Sequence, residues 1–228
     1  MKTKIDLNYK KNRIGFLASA KPRSRKKKDK TPEEAVNELV GDDDDEDEEG
    51  VVLIEEPDSP KMISLVGPLD DENGSEIIHA LSILDKVGKE GEELTFTICT
   101  PGGDAYSMLA IYDLMCKVRL KMTIKTIGVG QIMSAGVLLL AAGTPGERRI
   151  GKSSQVMMHT LKGTTHGHQF QLDAEMRQIR NMNDIYNSAI SAETKMPLKK
   201  VRSIMSKKSD YFFTAQKAVE LGIVDGYV

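Results

Sequence analysis

Cysteine occurs only twice in this chain of 228 residues, as Cys99 and Cys116. Two thiols so placed make neither a disulfide framework nor a metal-binding spacing. Both are expected as buried core thiols in a reducing compartment, the cytoplasm. Long hydrophobic runs are missing as well. The longest, residues 132–143, is broken by Ser134 and Gly136, and a membrane-spanning helix needs roughly 18–20 apolar residues. No membrane partner is therefore expected. The opening stretch, MKTKIDLNYKKNRIGF, has no continuous hydrophobic segment, which argues against a secretory signal. Internal repeats, phosphate loops and dinucleotide signatures are also absent: GVGQIMSAG holds a G-x-G but neither the third glycine nor an acidic partner. His166 and His168 form HGH without further ligands at suitable spacing, so neither metal nor cofactor is expected. His79 falls within an expected helix and is read as structural or partly exposed.

What is present begins with charge. The formal net charge is only −2, yet residues 1–30 carry 12 Lys/Arg and residues 31–58 carry 14 acids with no Lys or Arg. Such blocks cannot bury apolar surface, so residues 1–60 are expected to be a disordered, charged tail, with a folded domain over 61–228. The basic KPRSRKKKDK reads as a solvated segment attracted to the acidic run that follows it, and nucleic acid is not expected as a partner.

From residue 61 the patterning is that of an α/β domain. Residues 61–67 form an apolar run ending in Gly-Pro, a strand and turn. Residues 70–87 place Ile77, Leu81 and Leu84 at helical spacing. Residues 93–100 alternate Leu94, Phe96 and Ile98 as a strand. PGGD then turns the chain into a helix through Met108, Ile111 and Met115. A strand over 122–130 precedes a third helix, and residues 154–160 make another strand. This alternation implies parallel βαβ units. Residues 170–192 read as one long helix with an apolar set of Leu172, Met176, Ile179, Met182, Tyr186 and Ile190. Pro197 opens a shorter helix, and residues 214–222 a last one, with Gly222 past its end.

Three features carry chemistry. Ser134 lies between a strand and a helix, among Ala135, Gly136 and other small residues, where helix-end amides favour developing negative charge. A serine at a helix start is also an ordinary cap. His159 ends a strand, the place where parallel sheets present functional groups. CTPGGD sets Gly102 and Gly103 just past another strand end. Together these suggest acyl transfer: a serine nucleophile, an imidazole base, and two amides for a tetrahedral oxyanion. The residues alone leave the carboxylate partner open among Asp173, Asp184, Glu193 and Asp210.

SMLAIYDLM, GQIMSAGVLLLAAG, SSQVMMHT and DYFFTAQKAVELGIVD, four blocks in order over residues 62–228, resemble the proteolytic subunit of the Clp (caseinolytic) protease. The resemblance implies Ser134 as nucleophile, His159 as base and Asp210 as acid, with Gly103 or Gly102 and Ala135 as oxyanion donors. It also implies a Clp/crotonase-type α/β fold of repeated ββα-like units with a projecting long helix. The chain departs from the family's spelling after the histidine, where TLKGTTHGH replaces a QP.GG-like stretch, in a loop that shapes the substrate groove.

Further expectations follow from the likeness. The long helix would interdigitate between heptameric rings of a homo-oligomer, and the substrate would be a peptide or unfolded protein, delivered by an AAA+ unfoldase. Two alternatives stand beside it. One is a processing protease using the same residues without an ATPase, for instance in viral capsid maturation. The other is a non-catalytic scaffold subunit.

Overall fold

The computed structural model describes residues 61–162, 168–207 and 209–228. The charged segment expected over 1–60 and His166 lie outside the described residues. Three strands set the frame, β1 (Lys61–Val66), β2 (Glu93–Thr100) and β3 (Thr123–Met133). In β2 every second residue is buried, as strict alternation dictates for a strand covered on one face. The three lie parallel and adjacent, in register from Lys61 opposite Leu94 and Glu93 opposite Thr123. Their crossovers are the helices α1 (Asp71–Val87) and α2 (Ala105–Val118). Each starts on an aspartate whose carboxylate accepts an otherwise unpaired amide. Asp70 takes the Asn73 N–H at 2.9 Å, and Asp104 takes the Ser107 N–H at 2.6 Å.

β3 does not stop at Gly130 as its composition suggests; it runs on to Met133. Opposite Ile98 and Thr100 of β2 stand Gly128 and Ile132, so β3 carries extra residues there. Gly130, with φ 68°, takes the bend in a conformation that suits glycine. The bend gives β3 two partners in succession. Residues Thr126–Gly128 pair with β4 (Arg148–Ile150), and Gln131–Met133 pair with β5 (Gln155–Met158). β6 (Tyr211–Thr214) then runs antiparallel to β5, and β7 (Gly226–Tyr227) extends β4 in parallel. The short strands β4, β6 and β7 escape a reading by periodicity because two to four residues show no period.

Helix α3 (Ala135–Ala141) is buried along its whole length, which explains its uninterrupted apolar composition. Its last carbonyls still need donors. Thr126 Oγ1 donates to Leu140 O at 2.8 Å, Arg148 Nη1 to Ala141 O at 3.2 Å, and Arg119 Nη1 to Ala142 O at 2.9 Å. Two cations at a helix C-terminus also match its negative end. Each arginine is itself neutralised: Arg119 by Glu193 through paired bonds of 2.8 and 2.9 Å, Arg148 by Asp225 through bonds of 2.9 and 2.7 Å. Cys99 and Cys116 are half-buried and not the core thiols expected. Cys116 lies within 3.9 Å of Arg119 Nη2, at the margin of this ion pair.

The long helix is α4 (Gln169–Glu193), followed by α5 (Leu198–Met205) and α6 (Ala215–Leu221). Gly222 closes α6 in the left-handed conformation, φ 71°. Only the second half of α4 is packed, through Met182, Tyr186, Asn187, Ala189 and Ile190. The apolar stripe continues toward its start, where Met176 is 41% and Phe170 87% exposed. Among the described residues no helix is long and apolar enough to cross a membrane.

Burial pushes the Asp225 carboxyl up, but the Arg148 guanidinium, with the amides of Arg148 and Gly146, outweighs it and holds the group at about 2. A carboxylate so depressed stabilises the fold above its unfolded value of 3.8 and loses that contribution as pH falls toward 2. Asp225→Asn strands the Arg148 charge and is expected to cost about 2–4 kcal/mol at pH 7 in urea unfolding. The gap between variant and parent should close as pH falls through that window.

Candidate active site

The bend in β3 delivers Ser134 to the junction with α3. Its backbone is held in a sparsely populated conformation, φ 53° and ψ −116°, and it is the one non-glycine residue with positive φ among the described residues. Such a conformation costs about 1–3 kcal/mol and persists only where neighbours over-determine it. Here they do. The Ser134 N–H donates to Met157 O at 2.8 Å, and its carbonyl accepts from Val137 N–H at 3.0 Å and from the buried Tyr186 hydroxyl at 3.0 Å. Burial pushes the Tyr186 phenol strongly up, so it stays a neutral donor.

The side chain of Ser134 makes no capping bond to the helix. Oγ faces His159 Nε2 at 2.9 Å instead, a full hydrogen bond between a hydroxyl and an imidazole. β3 and β5 are paired in register up to Met133 opposite Met157, and the Ser134 N–H still bonds to Met157 O, so Ser134 lies beside the end of β5, where His159 follows Met158. That is how positions 134 and 159 become neighbours.

The third group is looser. Asp210, just before β6, puts Oδ1 3.6 Å from His159 Nδ1. This is within reach of charge attraction but beyond a hydrogen bond, and Nδ1, although buried, has no hydrogen-bond partner among the described residues. The same Oδ1 lies 3.3 Å from Lys162 Nζ. The other carboxylates left open by the sequence go elsewhere: Asp184 to Arg202 at 3.2 Å, Glu193 to Arg119, and Asp173 to the exposed half of α4. Desolvation, helped by the Lys162 ammonium and opposed by Asp210, lowers the His159 pKa below 6.5. The ring is therefore neutral at pH 7, the form able to accept a proton.

The glycine turn separates the two candidates it offered. The Gly102 N–H is bonded to Thr100 Oγ1 at 3.0 Å and its carbonyl accepts from Leu69 N–H at 2.9 Å. Gly102 is thus no oxyanion donor, and its part is steric. With φ 96°, a Cβ there would stand 2.6 Å from Ser134 Cβ and 3.2 Å from Oγ. The Gly103 and Ala135 amides have no partner among the described hydrogen bonds, and Gly103 lines the cavity onto which Ser134 opens. Gly103 is itself pinned against Leu69 O, which a Cβ would meet at 1.9 Å.

That cavity, about 530 Å³, runs from the glycine turn past Ser134 and His159 to α4, where Ile179 and Met182 join Met157 and Leu161 as an apolar wall. Lys162 and Glu175 stand in the same lining. Tyr186 and Lys162 were not singled out by sequence. Tyr186 reads as one more apolar position on α4, while Lys162 has one visible signal, its place three residues after His159 in the divergent loop. Among the described residues no cluster of His, Cys, Asp and Glu is arranged to hold a metal ion.

A family model described as Clp protease matches residues 46–228. The match covers most of the chain, and the protein belongs to the Clp protease family.

Two outcomes follow from this geometry. Gly102→Ala, by driving a methyl group into Ser134 at a backbone φ of 96° that side chains rarely adopt, should lower reaction of the folded fraction with a serine-directed acylating probe about 100-fold, since an ångström of misplacement costs that much. The parent's labelling rate should rise with pH through one inflection below 6.5, because the neutral ring is the reactive form.

Proposed function

Membership of the Clp protease family is the premise from which we propose that this protein is a serine endopeptidase. Its substrates are peptides and unfolded chains. Ser134 is the nucleophile, His159 the base and Asp210 the acid that orients the base. The observation that carries the reading is the 2.9 Å contact between Ser134 Oγ and His159 Nε2 on a backbone that does not let Ser134 act as a cap.

The steps are those of acyl transfer. Ser134 Oγ attacks the scissile carbonyl carbon while Nε2 of His159 takes the hydroxyl proton. The carbonyl oxygen gains negative charge beside the amides of Gly103 and Ala135, at the positive end of the short helix that Ala135 begins. The imidazolium then passes its proton to the departing amine, and the carbon–nitrogen bond breaks, leaving an ester on Ser134. Water enters, His159 removes its proton, and the new carboxylate leaves as Ser134 regains a proton. Throughout, Asp210 balances the imidazolium charge. The apolar wall of Met157, Ile179 and Met182 receives a side chain of the extended substrate.

The uncovered stripe on the first half of α4, with Phe170 and Met176 exposed, supports assembly into a homo-oligomer. Rings of seven and an AAA+ unfoldase partner extend the reading by family likeness. Confinement within a ring would restrict access to peptides and threaded chains.

Ser134→Ala should abolish fluorophosphonate labelling and lower cleavage of a short fluorogenic peptide by about 10³-fold or more. Lack of Ser134-dependent labelling in an assembled oligomer would turn the reading toward a scaffold subunit. Adding an unfoldase and ATP separates the remaining cases. A folded substrate consumed only in their presence marks a degradative protease, and specific cleavage without them marks a processing one.

A further inference from the structure

The acid of the site has two suitors. Asp210 Oδ1 lies 3.3 Å from the Lys162 ammonium and 3.6 Å from His159 Nδ1, so one oxygen atom faces both a cation and the ring that becomes one. Nδ1 is buried and has no hydrogen-bond partner among the described residues. For Nε2 to accept the Ser134 proton, the ring must carry its own proton on Nδ1, and that proton is the one without an acceptor. The Asp210 side chain is 36% exposed and Lys162 70% exposed, so water and salt reach their contact and the pair is readily broken. Lys162 belongs to the TLKGTTHGH stretch that sets this chain apart after the histidine.

We propose that Lys162 is a positioning residue for the acid. Its ammonium holds the Asp210 carboxylate just outside hydrogen-bond range of His159, and the carboxylate closes on the ring when Lys162 lets go. The proposal rests on the reading of Ser134, His159 and Asp210 as a peptidase triad, and it assigns to a departure in the loop a control over how tightly that triad is joined.

Among the described residues no second group stands in the same place. Lys207 and Ser209, from the turn after α5, line the small cavity beside Asp210, but the Lys207 ammonium sits 5.3 Å over the Tyr211 ring. On the other side, Glu175 of α4 and Asp104 line the substrate cavity with Lys162, and the Asp104 carboxylate is engaged as the α2 cap. Removing the Lys162 charge therefore leaves Asp210 free to turn to His159, while Lys162→Arg keeps both charge and competition.

The test is a titration of the His159 ring in the full-length protein, using ¹³C-labelled histidine with the signal assigned through His159→Gln. Lys162→Met should raise the ring pKa by about 0.5–1 unit and Lys162→Arg should leave it in place. The acid limb of kcat/KM for a short peptide should move by the same amount, with kcat several-fold higher above the limb and KM within about twofold of the parent. Repeating the titration in Asp210→Asn isolates the mechanism. If Lys162 acts through Asp210, most of the shift disappears in that background. An equal shift with and without Asp210 means that Lys162 acts on the ring by charge alone, and that result overturns the proposal, as does no shift in Lys162→Met. Because the titration needs no turnover, its failure is distinct from failure of the peptidase reading, which shows as an absence of Ser134-dependent labelling in the parent.

Discussion

The site depends on one strained residue. Ser134 is forced to φ 53° because its N–H is committed to β5 and its carbonyl to Tyr186 on α4. A serine free to relax would turn its hydroxyl back onto the amides of the helix it precedes, as serines at that position ordinarily do. Two elements from separate parts of the chain prevent this, and the hydroxyl is left with His159. The strain of about 1–3 kcal/mol is offset by packing around a helix with every residue buried.

That helix explains much of the polar architecture behind the site. A short apolar helix in a dry interior has carbonyls that must find donors. Arg119, Arg148 and Thr126 supply them, and the two arginines bring Glu193 and Asp225 with them as counter-charges. Glu193 ends α4 and Tyr186 lies two turns before it. The long helix is thus fastened to both ends of the buried one. Its packed half fixes the site, and its first half leaves Phe170 and Met176 exposed.

The electrostatics grade from rigid to loose across the site. Ser134 and His159 meet at hydrogen-bond distance on paired strands, and their separation is set by strand register. Asp210 stands at the start of an edge strand, more exposed, and shares its charge between an imidazole and an ammonium. An imidazole kept neutral by burial, with a partly withdrawn carboxylate beside it, can accept a proton but holds the resulting cation less firmly than a fully paired ring.

Much of this was legible in the residues themselves. The apolar run of β1, the alternation of β2, helical spacing in α1, α2 and α4, and Gly222 past the end of α6 are local matters, written in side-chain period and backbone preference. Ser134, His159 and the glycine turn could be picked out as chemically suited, and likeness to a family pointed to Asp210. Several things could not be read in advance. The bend at Gly130 gives β3 two partners, Thr100 takes the amide of Gly102 and leaves that of Gly103 free, and Lys162 reaches the acid. Local composition settles which residues can do chemistry and which elements they sit on. Which of those residues stand within 3 Å of one another depends on register and on competition for each hydrogen-bonding atom, and those are decided only when distant segments fold together.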